Sequence, residues 1–227
     1  QGAAHGPQLA ALLQQGLAVV AGHVKQRVFV VVGGLARLRA EIEGDAAHRA
    51  ISVNQLDHYA YFREQLPDQA RVLIMGSGLV GTEFANDLIT NHYQVAVVDM
   101  LPLPLAQLVP PAVGESVRDA LASEGVEWHL GRKVVAINYV GDSTGYVATL
   151  DDGSNIEADL VLSAVGLRPN VALAQEAGID IGIGIKVNQY GQTSDPDVYA
   201  IGDCAEYQHG LSAYVTPIMA AARGIAQ

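Results

Sequence analysis

The chain has 227 residues, of which 50% are apolar and 16% are charged, and its formal net charge is −11. This composition is typical of a folded protein with a sizeable core and argues against disorder. The acidic balance excludes a basic nucleic-acid-binding surface and disfavours an anionic membrane as a partner.

Cysteine usage and hydropathy narrow the class further. The single cysteine, Cys204, excludes an internal disulfide, a CxxC redox pair and a cysteine-rich metal site, and we expect it to be a small buried hydrophobe. The seven histidines form no ligand cluster, so we expect no metal. No apolar run approaches the roughly 20 residues that span a bilayer, and no signal peptide is recognisable. We therefore expect a cytoplasmic protein without membrane insertion; the oligomeric state stays open.

The first third of the chain contains three predicted elements. They are a short helix at 7–15, a buried strand at 27–34 and a helix at 54–66. Pro67 ends the last of these, and 67–70 forms a connector that is a candidate domain boundary.

The best-defined unit follows, from Arg71 to about Val165. Its predicted elements, in chain order, are a strand at 71–75, a glycine turn and helix, a strand at 94–99, a proline-rich loop at 101–111, a helix ended by Gly125, a strand at 127–130, an antiparallel meander at 133–158 and a buried strand at 159–166. Val80, Phe84 and Leu88 form one apolar stripe on the helix after the glycine turn. The order βαβαβ plus meander predicts an α/β, Rossmann-type nucleotide-binding domain. Beyond it we expect a strand at 198–203 that ends in a glycine turn, and a helix at 216–227.

The glycine turn has the spacing GxGxxG, with Gly76, Gly78 and Gly81. The first glycine permits the tight turn, the second lets the backbone approach a pyrophosphate, and the third lets helix and strand pack closely. The pyrophosphate lies at the helix N-terminus, where free N–H groups and the helix dipole favour negative charge.

Asp99 ends the next strand, 18 residues after Gly81. Its carboxylate can accept hydrogen bonds from a ribose diol and would repel a 2′-phosphate, and Met100 supplies no cation. This favours NAD over NADP, or equally the adenosine ribose of FAD. Glu83 has two interpretations: a carboxylate in the first turn of the helix, favoured by the dipole, or a contact with the nicotinamide end.

Three ordered stretches, "GSGLVGTEFANDL", "LVLSAVGLRPN" and "TSDPDVYAIGDCAE", resemble the pyridine-nucleotide-linked flavoprotein reductases, the superfamily of enzymes with two dinucleotide-binding domains. "EFANDL", "SAVGLRPN" and "YVTPIMAAARGIAQ" are most similar to its rubredoxin–NAD reductase branch. The resemblance implies that 1–66 is part of an FAD-binding domain, that 67–170 is the NAD(H)-binding domain, and that 171–227 returns to the FAD-binding domain.

The resemblance also implies roles for single residues. Glu83 would help to place the nicotinamide against the flavin as the catalytic-site residue, and Gly166 would lie close to the nucleotide. Gly202 and Asp203 would belong to the second flavin fingerprint, with the aspartate bonding the ribityl chain. A helix that starts near Val215 and Thr216 would direct its positive end at the flavin pyrimidine ring; the alternative is that Thr216 only caps the helix.

The resemblance implies electron transfer from NADH through FAD to a small iron–sulfur carrier, and the branch resemblance implies that this carrier is rubredoxin. The alternatives are a ferredoxin reductase or NADH oxidase of the same fold, or a non-catalytic NAD-binding remnant. The remnant is an alternative because the superfamily's first GxGxxG unit, which binds the ADP part of FAD, does not occur between Gln1 and Met75. The superfamily's C-terminal interface domain has no counterpart in these 227 residues either, so we expect the chain to correspond to the middle of a larger enzyme.

Overall fold

The structure is a computed structural model, and it describes residues 18–19, 29–32, 35–37, 42–141, 145–211 and 215–225. It contains two compact units, one formed by 1–36 with 167–227 and the other by 37–166. The division at residues 67 and 171 into cofactor domains stays a prediction. The helix predicted at 7–15 lies outside the described residues.

The unit at 37–166 is built on a parallel sheet of four strands. The strands are β4 (Arg71–Met75), β5 (Gln94–Asp99), β6 (Glu127–Leu130) and β10 (Leu160–Ser163), and their spatial order is β10-β4-β5-β6. The helices of this unit are α1 (Leu56–Gln65), α2 (Leu79–Thr90) and α3 (Pro111–Ser123). The predicted βαβαβ order is thereby confirmed.

The meander predicted at 133–158 is also confirmed. It consists of β7 (Val134–Tyr139), β8 (Tyr146–Leu150) and β9 (Asn155–Ala158), which pair antiparallel in that order. Alternating residues of the parallel strands point to opposite faces of the sheet. Leu73 and Val161 join the core under the meander, whereas Val72 and Leu162 join the core under the helices. The sheet therefore lies between the meander on one face and α1, α2 and α3 on the other.

The ends of two helices have clear physical causes. Helix α3 stops at Ser123, and Gly125 follows with a φ of +109°, which a glycine adopts without strain. The Val126 N–H donates to the Leu121 carbonyl at 3.0 Å and the Gly125 N–H donates to the Ala122 carbonyl at 3.1 Å, which is a complete Schellman cap. Helix α1 ends at Gln65, and Leu66 has an extended backbone, which is the conformation that a following proline, here Pro67, favours.

The apolar stripe predicted on α2 is wrong at its first position. Leu88 is buried, but Val80 is 44% exposed, and the buried face of the helix begins instead at Gly81 and continues through Ala85.

The second unit is described by itself. Its strands are β1 (Ala18–Val19), β2 (Phe29–Val32), β3 (Leu35–Arg37), β11 (Leu167–Pro169), β12 (Ile185–Lys186), β13 (Val198–Ile201), β14 (Ala205–Tyr207) and β15 (Gly210–Leu211), and its helices are α4 (Ala172–Glu176) and α5 (Val215–Ile225). β3, which ends at the boundary of the two units, pairs with β11. One sheet has the order β1-β2-β13, with β2 and β13 parallel, and another has the order β12-β14-β15. Where strands are predicted at 27–34 and 198–203, the structure describes strands at Phe29–Val32 and Val198–Ile201, and where a helix is predicted at 216–227 it describes one at Val215–Ile225.

Within the described ranges, no helix combines the length and the apolar character that crossing a membrane requires.

Candidate functional site: a glycine turn at the carboxyl edge of the parallel sheet

The glycine turn lies at the point where the order of the parallel strands reverses. From β4 the chain proceeds to β5 and β6 on one side, whereas β10 pairs with β4 on the other side. Open parallel sheets bind ligands outside the carboxyl ends of their strands at such a switch point. Gly76 follows directly after β4, so the turn lies at that edge.

Gly76 and Gly81 are required by close contacts within the protein. Gly76 has a φ of +99°, and a side chain there would lie 2.5 Å from the Ala164 carbonyl oxygen just beyond β10. A side chain on Gly81 would lie 1.9 Å from the Gly76 carbonyl oxygen. These two glycines therefore let the turn pass tightly between β10 and the start of α2.

Gly78 differs from both, because an added Cβ at this position would meet no atom within 4 Å. Its φ of −68° is available to any residue, so neither the backbone nor a protein neighbour explains the glycine. Gly78 is the N-cap of α2, and no side chain caps that helix end. The first N–H groups of a helix lack partners within it. Together the open space and the uncapped N–H groups fit a ligand pyrophosphate.

The first turn of α2 is free of acidic residues and exposes apolar side chains. Leu79 is exposed, as is Val80, and Glu83 is the fifth residue of the helix. The prediction that Glu83 lies in the first turn is therefore wrong, and the helix-dipole interpretation of that carboxylate loses its basis. Glu83 is exposed, and its carboxylate makes no hydrogen bond or ion pair with any residue that the structure describes.

Asp99 lies at the end of β5, beside the turn. Its Oδ2 accepts hydrogen bonds from the Ser77 N–H at 2.5 Å and from the Ser77 hydroxyl at 2.8 Å, and its Oδ1 accepts one from the Leu101 N–H at 2.8 Å. The carboxylate is half-buried, and the next side chain, Met100, is 72% exposed. The structure thus brings Asp99 to the turn, as the sequence predicts, but holds it through a serine that the sequence analysis did not single out.

Arg132 is a second residue that the sequence analysis missed. Its N–H donates to the Asp99 carbonyl at 2.9 Å, so the turn after β6 places a cationic residue next to Asp99. The guanidinium Nε lies 3.1 Å from an Asp152 carboxylate oxygen. The only sequence signal for this contact is the parallel βαβ order, which brings the ends of β5 and β6 together.

Gly166 follows β10 at the same edge of the sheet. It has a φ of +104°, and the Ala164 N–H two residues earlier donates to the Met75 carbonyl at 2.7 Å. The unit at 37–166 therefore brings together Gly76, Gly78, Gly81 and Gly166 with Asp99.

The candidate flavin residues lie in the other unit. Gly202 is buried in the turn after β13 and has a φ of +86°. Asp203 is half-buried and has no hydrogen-bond or ion-pair partner among the residues that the structure describes. Helix α5 begins at Val215, which puts Thr216 inside the helix instead of at its cap. The side chains of Val215 and Thr216 lie outside the described part of the structure.

Cys204 is fully buried beside Asp203, and its Sγ lies 3.5 Å from the Ile201 carbonyl oxygen, which confirms the prediction of a small buried residue. In the described residues, no group of three or more His, Cys, Asp or Glu side chains is placed to hold a metal ion.

The sequence matches one protein family and curated reductases of that kind. The family model of pyridine nucleotide-disulphide oxidoreductases matches residues 18–224. A rubredoxin-NAD(+) reductase of Alcanivorax borkumensis is 40% identical over 205 residues, which are 90% of this chain and 53% of that protein. A nitric oxide reductase FlRd-NAD(+) reductase of Aeromonas hydrophila is 35% identical over 199 residues, or 87% of this chain and 50% of that protein. The chain thus spans about half the length of the curated relatives it matches.

Solved structures agree with the fold. A ferredoxin reductase from Rhodopseudomonas palustris superposes with a TM-score of 0.81 at 28% identity, over 92% of this chain and 56% of that one. Putidaredoxin reductase, in its covalent complex with putidaredoxin, superposes with a TM-score of 0.79 at 26% identity, over 93% of this chain and 56% of that one. The predicted α/β, Rossmann-type fold is confirmed.

Proposed function

The chain belongs to the pyridine nucleotide-disulphide oxidoreductase family, and we propose that it is the nucleotide-binding part of an FAD-dependent reductase that passes electrons from NADH through flavin to a small iron–sulfur carrier. The observation that carries this proposal is Gly78, a glycine with open space in front of it at an uncapped helix N-terminus. Rubredoxin is the carrier we propose, because two relatives at 40% identity are rubredoxin-NAD(+) reductases.

The residues of the turn would hold the nucleotide through its polar parts. The N–H groups around Gly78 bind the pyrophosphate, and Asp99 accepts a hydrogen bond from the adenosine ribose. Gly166, three residues beyond β10 at the same edge of the sheet, is assigned a place close to the nucleotide. A half-buried carboxylate at this position disfavours a 2′-phosphate, so we propose NADH as the electron donor.

Two further carboxylates, one in each unit, make no hydrogen bond or ion pair with the residues that the structure describes. Glu83 is exposed on α2 beyond the turn, and we assign it the orientation of the nicotinamide. Asp203 follows the left-handed Gly202, and we assign it a hydrogen bond to the ribityl chain of FAD. The start of α5 at Val215 and Thr216, with its positive dipole end, is assigned to the flavin ring.

The cofactors, when bound, would supply the redox chemistry: a hydride from NADH, and passage of its two electrons through FAD to a one-electron carrier. The protein's own contribution is to bind the cofactors, to orient them and to exclude competing reactions. A protein thiol has no part in this proposal, because Cys204 is buried and is the chain's only cysteine.

A ferredoxin reductase is the second candidate, and the two structures at 28% and 26% identity favour it. The test is carrier reduction by the protein with FAD and NADH in the absence of air, with oxidised rubredoxin or a ferredoxin at equal concentration. We expect the visible absorption of rubredoxin to bleach faster than that of ferredoxin. The opposite order would replace rubredoxin by ferredoxin in the proposal, and a flavin that NADH does not reduce would overturn the reductase itself.

A further inference from the structure

We propose that Ser77 is a specificity-determining residue, which positions the Asp99 carboxylate so that the site accepts the adenosine ribose of NAD(H) and discriminates against a 2′-phosphate. This inference rests on the proposed function and concerns a residue at one of the variable positions of the GxGxxG motif.

The contacts between the two residues are short and converge on one oxygen. Ser77 donates to the Asp99 Oδ2 twice, from its N–H at 2.5 Å and from its hydroxyl at 2.8 Å. Ser77 is only 1% exposed, although it lies in a turn between two glycines. A buried hydroxyl that points at a carboxylate acts on that carboxylate and not on solvent. Hydrogen bonds to a charged acceptor are also the stronger kind.

Ser77 is itself held from two directions. Its carbonyl oxygen accepts a hydrogen bond from the Thr82 hydroxyl at 3.0 Å and another from the Leu105 N–H at 2.9 Å. Thr82 belongs to helix α2 and Leu105 to the proline-rich loop, where its φ is +57°. The backbone of Ser77 is therefore fixed by the surrounding fold, and its side chain starts from a fixed Cα.

This arrangement leaves Asp99 with limited freedom. A carboxylate has about four acceptor positions; the two bonds from Ser77 and the one from Leu101 occupy three of them. The position that remains, on Oδ1, is matched to a hydroxyl donor of a ribose. A 2′-phosphate offers acceptors and negative charge instead, and a carboxylate anchored on both oxygens cannot turn away from it.

The test is a double-mutant cycle on nucleotide binding, with dissociation constants of NADH and NADPH measured by calorimetry for the wild type, Ser77→Ala, Asp99→Ala and the double variant. We expect Ser77→Ala to weaken NADH binding about fivefold, the size of one net hydrogen bond, and to change NADPH binding by less than about twofold. In the Asp99→Ala background, Ser77→Ala should have no further effect on NADH binding. Ser116→Ala, on the exposed face of α3, is the matched control and should change neither constant.

Several results would overturn this inference. Equal losses for NADH and NADPH would mean that Ser77 has only a structural role, and an undiminished effect in the Asp99→Ala background would mean that it does not act through Asp99. Melting temperatures show whether each variant folds; if Asp99→Ala does not fold, Asp99→Val takes its place in the cycle, because it also lacks an acceptor oxygen and suits a strand end. A wild-type protein that binds neither nucleotide would instead overturn the proposed function. A wild-type protein that binds NADH, with an affinity that Ser77→Ala does not change, would overturn only the role of Ser77.

Discussion

Gly81 approaches Gly76 so closely that a methyl group on Gly81 would lie 1.9 Å from the Gly76 carbonyl oxygen. The obstacle is backbone, which cannot rotate away as a flexible side chain would. We expect Gly81→Ala to lower the free energy of unfolding by about 1–3 kcal/mol, as overpacking does, and to lower the melting temperature accordingly. Gly224→Ala, on helix α5 with nothing within 4 Å, is the control and should be neutral or slightly stabilising. Equal melting temperatures for Gly81→Ala and the wild type would contradict this packing account.

Gly78→Ala should separate folding from binding. An added methyl group at this position meets no protein atom and needs no unusual backbone angle, so the melting temperature should fall only by the small amount that alanine costs at an N-cap. The methyl group would occupy the space that we assign to the pyrophosphate, and NADH binding should weaken by about tenfold or more. Calorimetry with NADH measures this. Unchanged NADH affinity would show that the ligand does not approach Gly78.

Local patterns in the sequence predicted most of the architecture of the unit at 37–166. Period-two runs identified the meander strands, and the glycine spacing after an apolar strand identified the turn at Gly76. The apolar pattern was misleading at the start of α2, because Val80 is exposed there and Gly81 takes the buried position. Local spacing also predicted that Glu83 lies in the first turn of α2, whereas the helix begins at Leu79 and Glu83 is its fifth residue.

The contacts that hold Asp99 were not predictable in the same way. Ser77 is a small polar residue between two glycines, without a local pattern that indicates a contact with Asp99. Arg132 is 33 positions away from Asp99 in the sequence. Both contacts depend on how the ends of β4, β5 and β6 meet in the folded sheet, which is tertiary information. A pattern of residue types along the chain does not contain it.

The Arg71–Asp159 pair should make stability depend on acid pH. The Arg71 guanidinium donates to both carboxylate oxygens of Asp159, at 2.8 and 3.2 Å, and this hydrogen bonding lowers the pKa of Asp159 below its ordinary value. A carboxyl group with a lowered folded-state pKa stabilises the fold at pH values above its unfolded pKa of about 3.9. That contribution is lost as the pH falls through the folded-state pKa.

We therefore expect Asp159→Asn to melt at a lower temperature than the wild type at pH 7, and the difference to shrink as the pH is lowered below about 4. Thermal melts of both proteins from pH 7 to pH 3 measure this. Asp119→Asn is the control, because Asp119 forms an exposed ion pair with the adjacent Arg118 and such pairs contribute little. A difference between Asp159→Asn and the wild type that does not depend on pH would contradict the role of this ion pair.

Cys204 should be inert in the native protein. It is fully buried in a small core with Ile185, Ala200 and Ala205, and it is the chain's only cysteine. We expect a thiol reagent to label the protein only after denaturation, and NADH-dependent electron transfer to survive exposure of the native protein to that reagent. Rapid labelling of the native protein, with loss of activity, would contradict both the burial and the thiol-free mechanism.

In the proposed function this chain serves an NADH-dependent flavoprotein. The most direct measurement is the visible absorption spectrum of the purified protein supplied with FAD, recorded without air before and after the addition of NADH. We expect bound flavin whose visible bands bleach when NADH is added, and much weaker bleaching with the same concentration of NADPH. A protein that retains no flavin, or whose flavin bands do not change with NADH, would contradict it.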